Sequence, residues 1–261
     1  MKTVIIPVDF SETSLNAARY AAGMLSGKQD THIILFNLYE HDDEYETAGN
    51  YLNSLKAELE WKGDKDIECM REKGADLIDS LERLAYQKTA TLIVMGITGK
   101  SGLKKAFIGS NTLKIAERDV CPVLIIPPDA KFSGIKNVAL ASEMKDVETA
   151  TPALHINNVL ELFNARLHIV NVDSTLHVAL TEEKKEEKKK MQKLFKKFNP
   201  EFYFIGTSDF TDTIEQFAAD QAIDMIITVP HYHNFYGKVF GGSNTKKLAY
   251  HSTVPVMAAY P

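Results

Sequence analysis

The residues from Met95 to Thr112 are the part of this chain whose types and spacing could do chemistry. Gly96 and Gly99 carry no Cβ, so backbone there can approach a ligand closely. Gly109, Ser110 and Asn111 place free N–H groups at a predicted helix start, and the helix dipole favours an anion such as phosphate at that end. Ser110 can add a hydroxyl donor, and Lys100, Lys104 and Lys105 can add positive charge. The plain alternative is a turn and a helix cap, with the lysines simply solvated. Two familiar phosphate motifs do not fit. Gly99-Lys100-Ser101 resembles the end of a Walker A loop, but its leading glycine would fall at Val94, inside an apolar run. A dinucleotide fingerprint directly follows a first strand, whereas this loop follows the fourth.

The elements that must position this loop read as alternating strands and helices, the pattern of a parallel sheet with crossover helices. Strands are expected near 3–8, 32–38, 66–72, 91–95 and 122–126, as Val- and Ile-rich runs whose continuous apolarity suits burial on both faces. Leu15, Ala18, Ala22 and Leu25 share one helical stripe after the N-cap hydroxyls of Ser11 to Ser14. Leu77, Leu81 and Leu84 mark another helix, and a further one is expected after Gly109. Strands near 136–141, 166–172, 201–206, 224–229 and 254–259 follow, with helices near 148–163, 181–198, 209–221 and 243–251.

The chain repeats itself. A shift of 133 positions, without gaps, lays Lys105, Phe107, Gly109, Ser110, Asn111 and Thr112 on Lys238, Phe240, Gly242, Ser243, Asn244 and Thr245. The same shift pairs Pro122-Val123 with Pro255-Val256. Two tandem domains follow, 1–130 and 134–261, joined where Pro127, Pro128 and Gly134 interrupt the pattern.

Composition narrows the function. The 261 residues are 44% hydrophobic and 25% charged, which excludes disorder over most of the length. A net charge of -5 gives no field to attract nucleic acid or an anionic membrane. Cys69 and Cys121 make no disulfide framework or zinc cluster, and no run reaches the roughly 18 apolar residues of a membrane span. The expectation is a cytoplasmic protein. A catalytic set is missing too: there is no G-x-S-x-G, no H-E-x-x-H and no cysteine with a supporting His and acid nearby.

Gly96, Gly99, Gly109 and Ser110 satisfy G-x2-G-x9-G-[ST], which resembles the ATP-binding form of the universal stress protein family. Val4 to Ser11 resembles the family's first strand with its acidic residue, and Cys121 to Leu124 its closing strand. The resemblance implies two tandem repeats, each an open five-stranded parallel sheet with helices on both faces, Rossmann-like and similar to the adenine nucleotide alpha hydrolases. It implies an adenine nucleotide (ATP, ADP or AMP) at the carboxyl ends of the strands of the first half, where open α/β sheets place ligands in any case. Pro7, Asp9, Leu38, Met95, Gly96, Gly99, Gly109, Ser110 and Asn111 would surround it. Asp9 would lie beside the adenosine, backbone near Leu38 would meet the adenine, and Gly99, Gly109, Ser110 and Asn111 would hold the phosphates. A carboxylate beside a triphosphate could help place Mg²⁺. Asp9 reads equally well as an N-cap of the following helix. The resemblance further implies pairing of the two terminal strands across an intramolecular pseudo-dimer, and homodimerisation stays open.

The second half departs from this pattern. Val229 and Tyr232 stand for Gly96 and Gly99, and Glu143, to within one residue, for Asp9. Side chains there would occupy phosphate space, so this half is expected to bind no nucleotide, or to bind it weakly. His231 and His233, with His251, invite a metal, or serve as polar filling of a degenerate pocket. The lysine- and glutamate-rich run from Glu182 reads as a solvated helix on its own sheet rather than a membrane-surface helix. The functional expectation is a stress-response sensor or regulator switched by nucleotide occupancy, with at most slow ATP hydrolysis and unknown protein clients. The alternative is an interaction scaffold that binds no nucleotide.

Overall fold

The structure is a computed structural model that describes residues 2–60, 66–97, 107–175, 180–229 and 243–261. The chain divides into two compact units, Met1–Ser133 and Gly134–Pro261. No helix among the described residues is long and apolar enough to cross a membrane.

The first unit runs β1 (Lys2–Pro7), α1 (Glu12–Met24), β2 (Thr31–Tyr39), α2 (Glu44–Glu60), β3 (Asp66–Lys73), α3 (Leu77–Lys88), β4 (Ala90–Gly96), α4 (Phe107–Ala116) and β5 (Val123–Ile126). Its strands pair in the order β3-β2-β1-β4-β5, each pair parallel. From β1 the crossovers first travel one way, to β2 and β3, then cross back to β4 and β5. With right-handed crossovers, α1 and α2 cover one face and α3 and α4 the other. The contacts agree, since α1 packs on α2, and α3 on α4. The reversal leaves a crevice between the carboxyl ends of β1 and β4.

The core is the buried length of the strands, among them Val4 to Ile6, Ile33 to Phe36, Ile93 to Met95 and Val123 to Ile126. On α1 the buried stripe is Ala17, Ala18, Tyr20, Ala21, Ala22 and Met24, while Leu15 is only half-buried. Small alanines let α1 sit close to the sheet. Helix α2 buries Leu52, Leu55 and Leu59 against β2 and β3. The proline-rich segment after β5 folds back on α1: Asn16 Nδ2 donates to Pro127 O (3.3 Å) and Ala130 O (3.1 Å), and the Phe132 ring meets Tyr20 edge-on at 5.5 Å.

The second unit runs β6 (Asn137–Ala141), α5 (Val147–Ala150), α6 (Ala153–Phe163), β7 (Arg166–Val172), α7 (Glu182–Leu194), a 3-10 turn (Lys196–Phe198), β8 (Glu201–Ile205), α8 (Phe210–Asp220), β9 (Met225–Thr228), α9 (Ser243–His251) and β10 (Val256–Ala258). Its order, β10-β9-β6-β7-β8, is again all parallel. The helix expected over 148–163 is split at Thr151 and Pro152, because a proline ring excludes the residue before it from helical geometry. The charged helix α7 starts at the cap Thr181, buries Glu187 and Met191, and lays Lys188 Nζ 5.0 Å from the Phe202 ring centroid on β8.

Candidate functional site

A cleft of about 440 Å³ opens at the carboxyl ends of β1, β2 and β4, a size roughly in the range of small-molecule sites. Its wall includes Pro7 at the end of β1 and Val8 just beyond it, Phe36 and Leu38 from β2, Met95 and Gly96 from β4, Ile78 from α3, and Asn111 and Lys114 from α4. Asp9 stands at its rim, exposed. Six of the nine predicted site residues, Pro7, Asp9, Leu38, Met95, Gly96 and Asn111, are thus gathered at one crevice. Gly109 and Ser110 fall in the first turn of α4, and Gly99, with Lys100, Lys104 and Lys105, lies outside the described residues.

One local assignment is corrected and one residue gains a second role. The helix begins at Phe107, two residues before Gly109, so its four leading amides are those of Phe107 to Ser110, and Asn111 contributes to the wall from the next turn. Gly96 lines the cleft and also permits a close approach to protein. A Cβ built there would lie 2.4 Å from Thr13 O and 2.7 Å from Thr13 C, so the absent side chain lets the end of β4 meet the first turn of α1. Thr112, fully buried, anchors the same point from the other side by donating to Gly96 O at 3.0 Å.

Asp9 is not the helix cap. Ser11 is the N-cap of α1, its Oγ accepting from Ser14 N at 3.3 Å. Asp9 Oδ1 in turn accepts from Ser11 N (3.1 Å) and Ser11 Oγ (2.6 Å), which fixes the carboxylate against the cap. Between them Phe10 is left-handed, with φ 63°. That turn throws the chain from the strand end into the helix and leaves Asp9 facing the crevice.

Residues in β2 alternate the side to which their N–H and C=O point. Phe36 O accepts Val8 N at 2.7 Å, toward β1, and Tyr39 O accepts Gly74 N at 3.0 Å, toward β3. Leu38 therefore aims its N–H and C=O toward β1, past the point where β1 ends. A donor and an acceptor side by side suit the edge of a planar base.

Lys114, Glu40 and Asp76 also line the cleft and were missed by the motif search. Asp76 caps α3, its Oδ1 accepting from Ile78 N (2.8 Å) and Asp79 N (3.0 Å). Those backbone donors, Asp79's foremost, hold its carboxyl below the usual range, with help from the Arg118 and Lys114 cations. Spacing gave a clue to Lys114, which lies one helical turn beyond Ser110.

The corresponding strand ends of the second unit repeat the same turn. Ser142 N bonds Val170 O at 2.9 Å, Asn171 Nδ2 bonds Ser142 O at 2.9 Å, and Met144 is left-handed at φ 55°. The first unit has Val8 N on Phe36 O, Asn37 Nδ2 on Val8 O at 2.8 Å, and Phe10. This match gives Glu143 the place in its own unit that Asp9 holds in the first. Lys184 of α7 covers the end of β7, with its Nζ 3.0 Å from Asn171 Oδ1 and paired with the Asp173 carboxylate. Hydrogen bonds from Lys184 and from Thr175 push Asp173 down to about 2. Tyr232, His231 and His233 lie outside the described residues, and Val229 is half-exposed. No group of three or more metal-ligating side chains occurs among the described residues.

Comparison with known proteins gives the family. A universal stress protein of Methanocaldococcus jannaschii is 25% identical over 154 residues, 50% of this chain and 84% of that protein. The universal stress protein YxiE of Bacillus subtilis is 30% identical over 90 residues, 30% of this chain and 61% of that protein. The crystal structure of a universal stress protein from Archaeoglobus fulgidus shares the fold at a TM-score of 0.75 and 18% identity, covering 99% of this chain and 98% of that one. The model of the universal stress protein family matches residues 1–127 and again 146–259, so this chain belongs to that family, as a tandem pair of its domains.

Proposed function

We propose that the first unit binds an adenine nucleotide in this cleft, and that occupancy sets a conformational or assembly state used in a cytoplasmic stress response. The observation that carries the reading is the convergence of Asp9, Leu38 and Asn111 on one crevice at the sheet's switch point, beside the first turn of α4. Phe36, Leu38, Ile78 and Met95 offer an apolar slot for the base, and Leu38 backbone offers its edge a donor and an acceptor. The Asp9 carboxylate, already oriented by Ser11, suits ribose hydroxyls. The leading amides of α4 suit phosphate, with Asn111 and Lys114 close by.

The described wall carries the carboxylates of Asp9, Glu40 and Asp76 against the single cation Lys114. A carboxylate beside a nucleotide's phosphates can help place a divalent cation. Mg²⁺ prefers oxygen ligands and retained waters, and Asp9 is the carboxylate placed to take part. Such an ion would supply charge neutralisation at the phosphates. The second unit serves as a partner module without nucleotide, because Lys184 already holds Asn171 and Asp173 where the second strand ends.

Equilibrium dialysis of ATP with Mg²⁺ tests this. One site per chain is expected, weakened by Asp9→Ala. Two equal sites overturn the asymmetry between the units, and no saturable binding overturns the nucleotide reading and favours the scaffold alternative.

A further inference from the structure

Asn37 is a polar side chain in a strand run, Ile33 to Phe36, that is otherwise apolar and buried, and it is itself buried. In the β1–β2 ladder Pro7 lies opposite Phe36, and Val8 N donates to Phe36 O at 2.7 Å. The next rung of a parallel ladder would carry Leu38 N–H to Val8 O. That rung is not formed. Val8 O accepts Asn37 Nδ2 at 2.8 Å instead, and the chain turns away through Asp9 and the left-handed Phe10. The arrangement is no accident of one strand end, because Asn171 makes the same bond to Ser142 O at 2.9 Å before the left-handed Met144.

We infer that Asn37 is a positioning residue that determines base specificity: by taking the Val8 carbonyl it ends the β1–β2 ladder one rung early and leaves the Leu38 N–H free for a purine edge. The inference deepens the nucleotide reading of the cleft and rests on it for the identity of the base. Its backbone half stands alone. Replacing the amide by an apolar group of similar size removes the competing donor, and a buried carbonyl seeks a new one. Leu38 N–H is one rung away. The ladder then closes and the base edge loses its donor, while the amides at the start of α4 and the Lys114 amine, which serve phosphate, are untouched.

Two measurements on the full chain test this. The first follows amide hydrogen exchange at Leu38 by NMR without any nucleotide, in the parent and in Asn37→Leu. Leu38 is expected to exchange at least tenfold faster than Phe36 in the parent and to slow at least tenfold in the variant. Protection of Leu38 in the parent, or an unchanged rate in a folded variant, overturns the inference. Asn37→Ser, a smaller donor, is a second variant should Asn37→Leu not fold, and it is expected to leave Leu38 intermediate between the two states; a parent-like or slower-than-intermediate rate counts against it. The second compares dissociation constants for ATP, GTP and inorganic triphosphate. Asn37→Leu is expected to reduce the preference for ATP over GTP about tenfold, the worth of one hydrogen bond, with triphosphate affinity unchanged. Asn171→Leu, the same change in the other unit, is expected to leave that preference as in the parent. An unaltered preference in Asn37→Leu overturns the specificity role. Absence of ATP binding to the parent removes the nucleotide reading and the specificity role together, and the exchange experiment still decides the ladder.

Discussion

Gly96→Ala separates two roles that a glycine in a nucleotide-binding loop is easily credited with. The new Cβ would sit 2.4 Å from Thr13 O, against an ordinary contact of 3.4 Å or more, so β4 and α1 must part by about 1 Å. The obstacle is helix backbone, which cannot swing aside as a side chain would. Overpacking of this kind costs about 2 kcal/mol. For a unit of this size that corresponds to a fall in Tm of roughly 6–10 °C. Scanning calorimetry of the nucleotide-free protein measures it. ATP affinity should fall as well, since Ser11 and Asp9 ride on the displaced turn. A variant that melts within about 1 °C of the parent yet no longer binds ATP would refute the reasoning, because the glycine would then be serving the ligand and not the helix.

Three further outcomes are expected. His168 is buried with both ring nitrogens lacking a partner among the described residues, and burial lowers its pKa against the pull of Glu201. Its neutral form is the folded form, so the stability it confers is complete above the ordinary histidine pKa of about 6.5 and is lost as pH falls through the lower folded value. His168→Phe should flatten the loss of second-unit Tm between about pH 7.5 and 5.5. Lys184→Met should raise the Asp173 pKa from about 2 toward the ordinary carboxylate value without reaching it, since both Thr175 hydrogen bonds remain, as NMR would read. The pair's contribution, about 1 kcal/mol for partly exposed groups, is present above the unfolded carboxyl pKa and fades as pH drops through the folded one. Burial pushes the Cys121 thiol up to about 12, so iodoacetamide at pH 8 should modify it far more slowly than an ordinary thiol.

How much of this could be read in the chain depends on the range of the interaction. The central strands were legible as apolar runs, as burial on both faces demands, whereas the edge strand β3 breaks its run with Glu68, Arg71 and Glu72; α1 was legible because Ser11 caps an alanine stripe. Helix α2 was not singled out: its buried face is Ala48, Gly49, Leu52, Leu55 and Leu59, set among Tyr, Glu, Asn and Lys that blur the period. The crevice could be placed at the strand ends from topology alone. What could not be seen is which atoms meet. Gly96 touches Thr13, Asn37 touches Val8, and Lys184 reaches Asn171, each across crossovers whose geometry no local pattern encodes. Asn37 and Asn171 did leave a trace, as a lone amide near the end of an apolar strand in each half, although the 133-residue shift sets Asn37 against Val170, one place short of Asn171.

The duplicated turn at Phe10 and Met144 makes the molecule its own reference sample. Any probe applied to one copy can be read against the other in the same tube, at one concentration, temperature and ionic strength, so a difference between the two signals reports local chemistry and not preparation.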